Sequence, residues 1–523
     1  MQSSRAKLFP PKLTCYLLAS ALTFSSALKA ETFQHIDQFD LNALNQQNSL
    51  QAFLKAFEVG DELFEHPFLA SEGAGANIGN GQLMSLVPRA DLNLATQWGS
   101  HLPKRVTGPN AQSCDACHGV PFGDGAGKVM MNNIRDPLHS GDIGKFITRQ
   151  PPHIFGLGAL QLLAEEMSDA LQQQLELATI QAASSSQTIT APLSAKGVNF
   201  GSISVDPDGH VDTNAVRGID PDLLVKPIEW KGVVSNVRDF VRGASNNELG
   251  LQATELVGDN IDADYDSVVN ELGVGDITSL VIYQAAQPRP TTLLELSSLQ
   301  LSKPLSTEQR SEIKAGETLF SSTACSSCHT PRMALNNPVF SEPSRNPRFR
   351  DQLFPAGQDP ISKGLSLANA ISFDLTKDLP DNIIKQRHGR NIHLGNFKKA
   401  ADGTTIVELY GDLKRHDMGA ALAEPIDEAG TGPANFITKE LWGVGSTAPY
   451  LHDGRATTLD EAIKLHGGEA KSAKQNYIDL SETDRKALLA FLNNLVLFKL
   501  EEEEDKSQSN DRNKQRRLSS RPR

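Results

Sequence analysis

Of the five cysteines in this chain of 523 residues, four fall in two copies of one short pattern. The copies are Cys114-Asp115-Ala116-Cys117-His118 and Cys325-Ser326-Ser327-Cys328-His329. No other feature narrows the folding options as much. Two cysteines spaced this way lie along about one helical turn, so both sulfurs can reach the two vinyl groups of one porphyrin. The next residue, histidine, then presents its imidazole to the iron. C-x-x-C-H is the attachment pattern of c-type haem. A zinc ribbon would set its two knuckles roughly 15–20 residues apart, whereas more than two hundred residues intervene here. A thioredoxin-like pair or a simple disulfide would leave both histidines unexplained. We therefore expect two covalently bound c-type haems, with His118 and His329 as proximal iron ligands.

Composition adds the boundaries. A length of 523 residues with 39% hydrophobic content is too long for one small core and too apolar for a disordered chain. The formal charge of −13 speaks against a nucleic-acid partner, which needs a basic face. Residues 1–30 carry a basic head (Arg5, Lys7, Lys12), an apolar stretch and a small residue, Ala30, before Glu31. This reads as a secretory signal peptide, and export to the periplasm suits haem attachment outside the cytoplasm. Once it is removed, no apolar run is long enough to span a bilayer.

The fold expected is mainly α, with two cytochrome c-like haem domains and a small β-containing insertion. The N-terminal haem domain is read over 31–180, with a helix over 154–175. The region 181–303 is read as insertion or linker, starting with a Ser-rich stretch and holding short alternating segments around the turn Asp206-Pro207-Asp208-Gly209. The C-terminal haem domain covers 304–500, and 501–523 is a charged, disordered tail.

Near the C-terminus runs Thr447-Ala448-Pro449-Tyr450-Leu451-His452-Asp453-Gly454, followed by Thr458-Leu459-Asp460-Glu461-Ala462. With His416-Asp417-Met418-Gly419, Leu441-Trp442-Gly443 and His466-Gly467-Gly468, it resembles the di-haem cytochrome c peroxidase superfamily. The branch it is most similar to is the di-haem oxidoreductases, described as peroxidases or thiol oxidoreductases. The resemblance implies a distal ligand fourteen residues beyond His452, which is His466. A bis-His iron lacks the thioether that raises a haem potential. Met418 is the rival ligand by chemistry, and a surface histidine is the plain alternative for His466. His416 and His452 are read as pocket-lining groups or partners of haem propionates.

For the first haem the resemblance implies a removable distal histidine in the loop after the motif. His139 stands in such a loop, with His153 as a second candidate. It also implies a catalytic glutamate directly before a methionine. Glu165-Glu166-Met167 matches, with Gln161 nearest to the family's upstream glutamine, although two acids on a solvated helix face are an equally good reading. A calcium between the haems is implied as well, held by Thr447 and Pro449, with Gln150 where the family has asparagine. Separately, Asp262, Asp264 and Asp266 form a D-x-D-x-D run in the style of a calcium loop. Ser267 stands where glycine is needed, and Gly273 where the bidentate glutamate belongs, so a solvated acidic turn competes with a metal loop.

The function these features imply is a periplasmic di-haem oxidoreductase, peroxidase-like, in which a low-spin bis-His haem passes electrons to a reactive haem. Its partners would be a small redox protein or other electron donor and peroxide or another small oxidant. An electron carrier without substrate chemistry and a haem-dependent oxygenase are the alternatives.

Overall fold

A computed structural model describes residues 34–77, 83–84, 110–127, 132–135, 138, 145–377, 379–385 and 391–499. The proposed signal peptide, His139 and the tail lie outside the described residues. The described residues from His35 onward form one compact unit. Among the described residues no helix is long and apolar enough to cross a membrane.

The expectation of a mainly α protein is corrected. Helix accounts for 37% and strand for 16% of the described residues, and the strands form eight small antiparallel sheets of two or three strands. Most strands are two to four residues long. A strand that short cannot show a period-2 pattern, so sequence periodicity registers the helices and passes over the sheets.

The first half is built around the Val274–Ala285 helix, all of whose residues are buried. The Ser49–Glu65 helix packs along it so closely that a Cβ on Gly60 would run into the Ser279 carbonyl and Tyr283. Phe57, Phe64 and Tyr283 fill this seam with tilted ring contacts at 5.1 and 5.5 Å. The helix expected over 154–175 runs from Leu157 to Ser185 and ends at Ser186, which adopts φ 54°. Good helix formers (Leu, Gln, Glu, Ala) continue well past 175, so the first residues of the supposed linker are its last turn. Beyond it, Ile189–Ala195, Val198–Val205 and Val211–Asp212 form a three-stranded sheet.

In the second half, the Thr307–Ser322 helix starts at Ser306 in a capping box with Gln309 and crosses the Glu482–Asn494 helix. Gly316 sits at the crossing, where a Cβ would meet the Ala487 carbonyl. Phe320, Leu488, Phe491 and Leu492 form the apolar cluster between them. That helix delivers the chain into the second C-x-x-C-H motif.

Candidate functional site

Cys325 follows Ala324, which turns the chain at φ 65°, and opens a short 3-10 turn that carries it to Cys328 and His329. No disulfide joins Cys325 to Cys328 or Cys114 to Cys117. The His329 Nδ1–H donates to the Tyr410 carbonyl at 3.1 Å. Burial, with His466 adding to it, pushes the His329 pKa down to about 4, so the ring is neutral and its Nε2 keeps a lone pair.

His466 ends the Leu459–Leu465 helix, which Thr458 and Glu461 cap in a capping box. Its Nδ1–H donates to the Ala462 carbonyl at 2.8 Å, and burial lowers its pKa too. The two imidazole centroids stand 6.5 Å apart. With about 2 Å per metal–nitrogen bond and half a ring on each side, two imidazoles sharing one metal stand about 6 Å apart. A backbone carbonyl on each Nδ1 fixes the tautomer that leaves Nε2 for a metal. The structure thus brings His329 and His466 together on the wall of a cavity of about 320 Å³ that also holds Cys325, Cys328, Met418 and Trp442. The Trp442 Nε1–H is buried without an acceptor, as expected if an acceptor comes with whatever fills the cavity. These residues fit a haem.

The other histidines there are committed elsewhere. His416 Nε2 meets Asp412 at 2.8 Å and Nδ1 meets Glu469 at 2.7 Å. Burial opposes its charge, yet the Asp412 carboxylate and neighbouring Cys328 hold its pKa up to about 11. It is an imidazolium with no lone pair to offer. His452 stacks on Phe436 at 4.2 Å, and burial lowers its pKa to about 4.

The first motif forms a single tight turn, with the His118 N–H bonded to the Cys114 carbonyl at 3.1 Å. The Asp115 N–H donates to the Phe64 carbonyl, which anchors the turn to the end of the Ser49–Glu65 helix. His118 Nδ1–H reaches the Gly125 carbonyl at 3.2 Å, and burial keeps the ring neutral by lowering its pKa. Cys114, Cys117 and His118 line a second cavity of about 490 Å³. Size, sulfurs and a neutral histidine fit the second haem.

This cavity also contains a carboxylate that the sequence reading missed. Glu248 belongs to a π-helical turn, Ser245–Leu249, that continues the Val237–Ala244 helix; such turns recur at functional sites. Asn110 and Asn132 donate to its two oxygens at 2.8 and 3.0 Å. Asn247 and Gln284 line the cavity beside it. Glu248 lies more than a hundred residues from the motif with which it lines this cavity, and no local pattern signals that approach.

Glu165 and Glu166 line neither cavity. Glu166 accepts the Asn336 and Asn337 N–H groups, both at 2.9 Å, and pairs with Lys196. Glu165 accepts from Gln161 and Ser344 at 2.9 and 2.8 Å, and burial raises its pKa to about 7. His153 lines both cavities with its Nε2 on the Trp442 carbonyl at 2.9 Å. Thr447 and Pro449 line the His329 cavity. Near Pro449, the buried Gln150 Oε1 has no hydrogen-bond partner, an orphaned acceptor that fits a cation.

The two cavities share one wall, made of residues 150–153 with Trp230, Lys439 and Glu440. Trp230 Nε1–H donates to the Gln150 carbonyl at 2.6 Å, and the Gln150 N–H donates to the His452 carbonyl at 2.6 Å. The first and second halves are thereby stitched together between the two sites.

Residues 385–495 match the family model described as di-haem oxidoreductase, putative peroxidase. The resemblance read from the Thr447–Gly454 segment holds for this stretch. A cytochrome-c peroxidase of Denitromonas iodatirespirans, IdrP2, is 38% identical over 58 residues, which is 11% of this chain and 16% of that protein's length. Among solved structures, a MauG-like protein associated with microbial copper homeostasis aligns over 65% of this chain and 89% of its own, at 15% identity and a TM-score of 0.26. The hydrazine synthase of Kuenenia stuttgartiensis aligns over 48% and 72%, at 16% identity and a TM-score of 0.17. At such scores neither structural likeness bears on fold or chemistry.

Proposed function

We propose that this chain is an exported, periplasmic di-haem c-type oxidoreductase of the peroxidase kind. In this reading the Cys325/Cys328/His329 site, closed by His466, passes electrons, and the Cys114/Cys117/His118 site reacts with a small oxidant such as hydrogen peroxide. The observation that carries it is the pairing of His329 and His466 across a cavity, with both Nδ1 atoms tied to carbonyls. Haem, when bound, supplies redox-active iron at each centre.

The protein's own groups divide the work. His329 and His466 would hold one iron from both faces and keep small molecules off it. In the other cavity His118 would hold the iron from one side. Of the carboxylates that line this cavity, Glu248, oriented by Asn110 and Asn132, is the one we assign to move a proton between the oxygens of a peroxide. The shared wall supports short-range electron exchange between the sites, with a small redox protein or another donor resupplying them. The orphaned Gln150 Oε1 supports a calcium near Thr447 and Pro449.

Electron paramagnetic resonance of the oxidised protein tests the assignment. A low-spin bis-His signal is expected, and His466→Ala should abolish it; an unchanged signal in that variant rejects His466 as a ligand. Turnover with hydrogen peroxide and a reduced cytochrome tests the reaction. A rate no better than free haem rejects peroxidase chemistry.

A further inference from the structure

The loop Asn260–Asn270 is folded inside out. Its apolar side chains face solvent, with Ile261 47%, Tyr265 76% and Val269 43% exposed, while Asp264 is 0% exposed. Oxygens of Asp262, Asp264 and Asp266 all lie within 4.8 Å of one another. Both carboxylate oxygens of Asp264 and Oδ2 of Asp266 are buried without a hydrogen-bond partner. Gln252 stands beside them with its Oε1 taken by the Ala263 N–H and its Nε2 making no hydrogen bond. Burying one unpaired carboxylate is costly on the scale of a whole domain's margin of stability. Burying it against two more acids adds repulsion.

The neck of the loop is fixed. Asn260 and Asn270 bond reciprocally at 2.7 and 2.9 Å, and the Thr254 N–H donates to the Leu272 carbonyl just outside. Asp262 accepts the N–H groups of Asp266 and Ser267, both at 3.0 Å. A solvated acidic turn would point its acids outward; this one turns its most buried acid inward.

We propose that the Asn260–Asn270 loop binds a calcium ion through Asp262, Asp264 and Asp266, at a site separate from both haem cavities. All the donors are hard oxygens, which select calcium or magnesium over zinc or copper. Three carboxylates in one short loop favour calcium, because magnesium keeps most of its waters and takes one or two carboxylates.

The test compares the full-length haem-loaded protein with its Asp264→Asn and Asp266→Asn variants. Bound calcium is counted after desalting, and thermal melting is recorded in calcium, in magnesium and in EGTA. Wild type should melt higher in calcium than in EGTA. Each variant should bind one calcium fewer per chain, show a smaller calcium-dependent rise in melting temperature than wild type and keep the wild-type haem spectrum. If Asp264→Asn does not accumulate, Asp266→Asn alone decides. A wild-type calcium count in a folded variant, or wild-type melting indifferent to EGTA, overturns the site. Equal protection by magnesium overturns the choice of ion. A calcium near Gln150 is read separately, since neither substitution touches it.

Discussion

At the scale of single residues, the two cavities are distinguished by what lines them beside the motif histidine. In one, His466 offers a neutral ring; in the other, Glu248 offers an acid held by two asparagines. Replacing Glu248 with Gln keeps the side chain's shape and one of the two amide contacts but removes the proton carrier. Turnover with peroxide should fall about 100-fold or more, while the low-spin signal of the His329 site stays unchanged. Unaltered turnover would remove Glu248 from the reaction. The two cysteine–histidine motifs were legible because the haem attachment proposed for them fixes their spacing. His466 was legible only through resemblance, by counting from His452. Glu248 was not, because a contact across more than a hundred residues leaves no local periodicity.

At the scale of elements, the helices read well where one face is apolar and the other solvated, and poorly where every face is buried. The Val274–Ala285 helix fell in a region read as insertion because its polar residues, Asp276, Thr278, Ser279 and Gln284, are buried with the rest and mark no solvent face. Close crossings are the points of greatest sensitivity. Gly316→Leu would drive a side chain into the Ala487 carbonyl and part the helix that carries the second motif from its partner. A loss of about 1–3 kcal/mol is expected in denaturant unfolding, and a neutral result would show that the crossing can relax. The acidic loop makes a second prediction at this scale. Burial, then the Asp266 and Asp262 charges, raise the Asp264 pKa to about 7, and Glu271 behind it rises to about 10, mainly by burial. A carboxyl whose folded pKa lies above its unfolded value favours folding below that pKa and loses the advantage as pH rises through it. In EGTA, stability should therefore fall as pH rises through about 7, and saturating calcium should flatten the slope. Melting curves across that range check this, and a slope unaffected by calcium would contradict it.

At the scale of the whole molecule, two of the short sheets that overturned the mainly α expectation help wall the cavities, Asn132–Arg135 with Phe146–Arg149 at the His118 cavity among them. Strands Arg415–Asp417 and Asn435–Ile437 place His416 and Phe436 on the wall of the His329 cavity. The cavities measure about 320 and 490 Å³. At roughly 24 cal/mol per Å³ of unfilled core, either one alone rivals the net stability of a domain. A chain with all four motif cysteines changed to serine should fail to accumulate as folded protein, measured by protease resistance of the exported product. A protease-resistant, colourless product would show that the scaffold stands without its pigment.

The wall at residues 150–153 with Trp230, Lys439 and Glu440 is a partition owned by both chambers. Neither half can be transplanted as a self-sufficient module: severing the gene between the two cysteine motifs would yield two open bowls, each missing the side that the other was holding up.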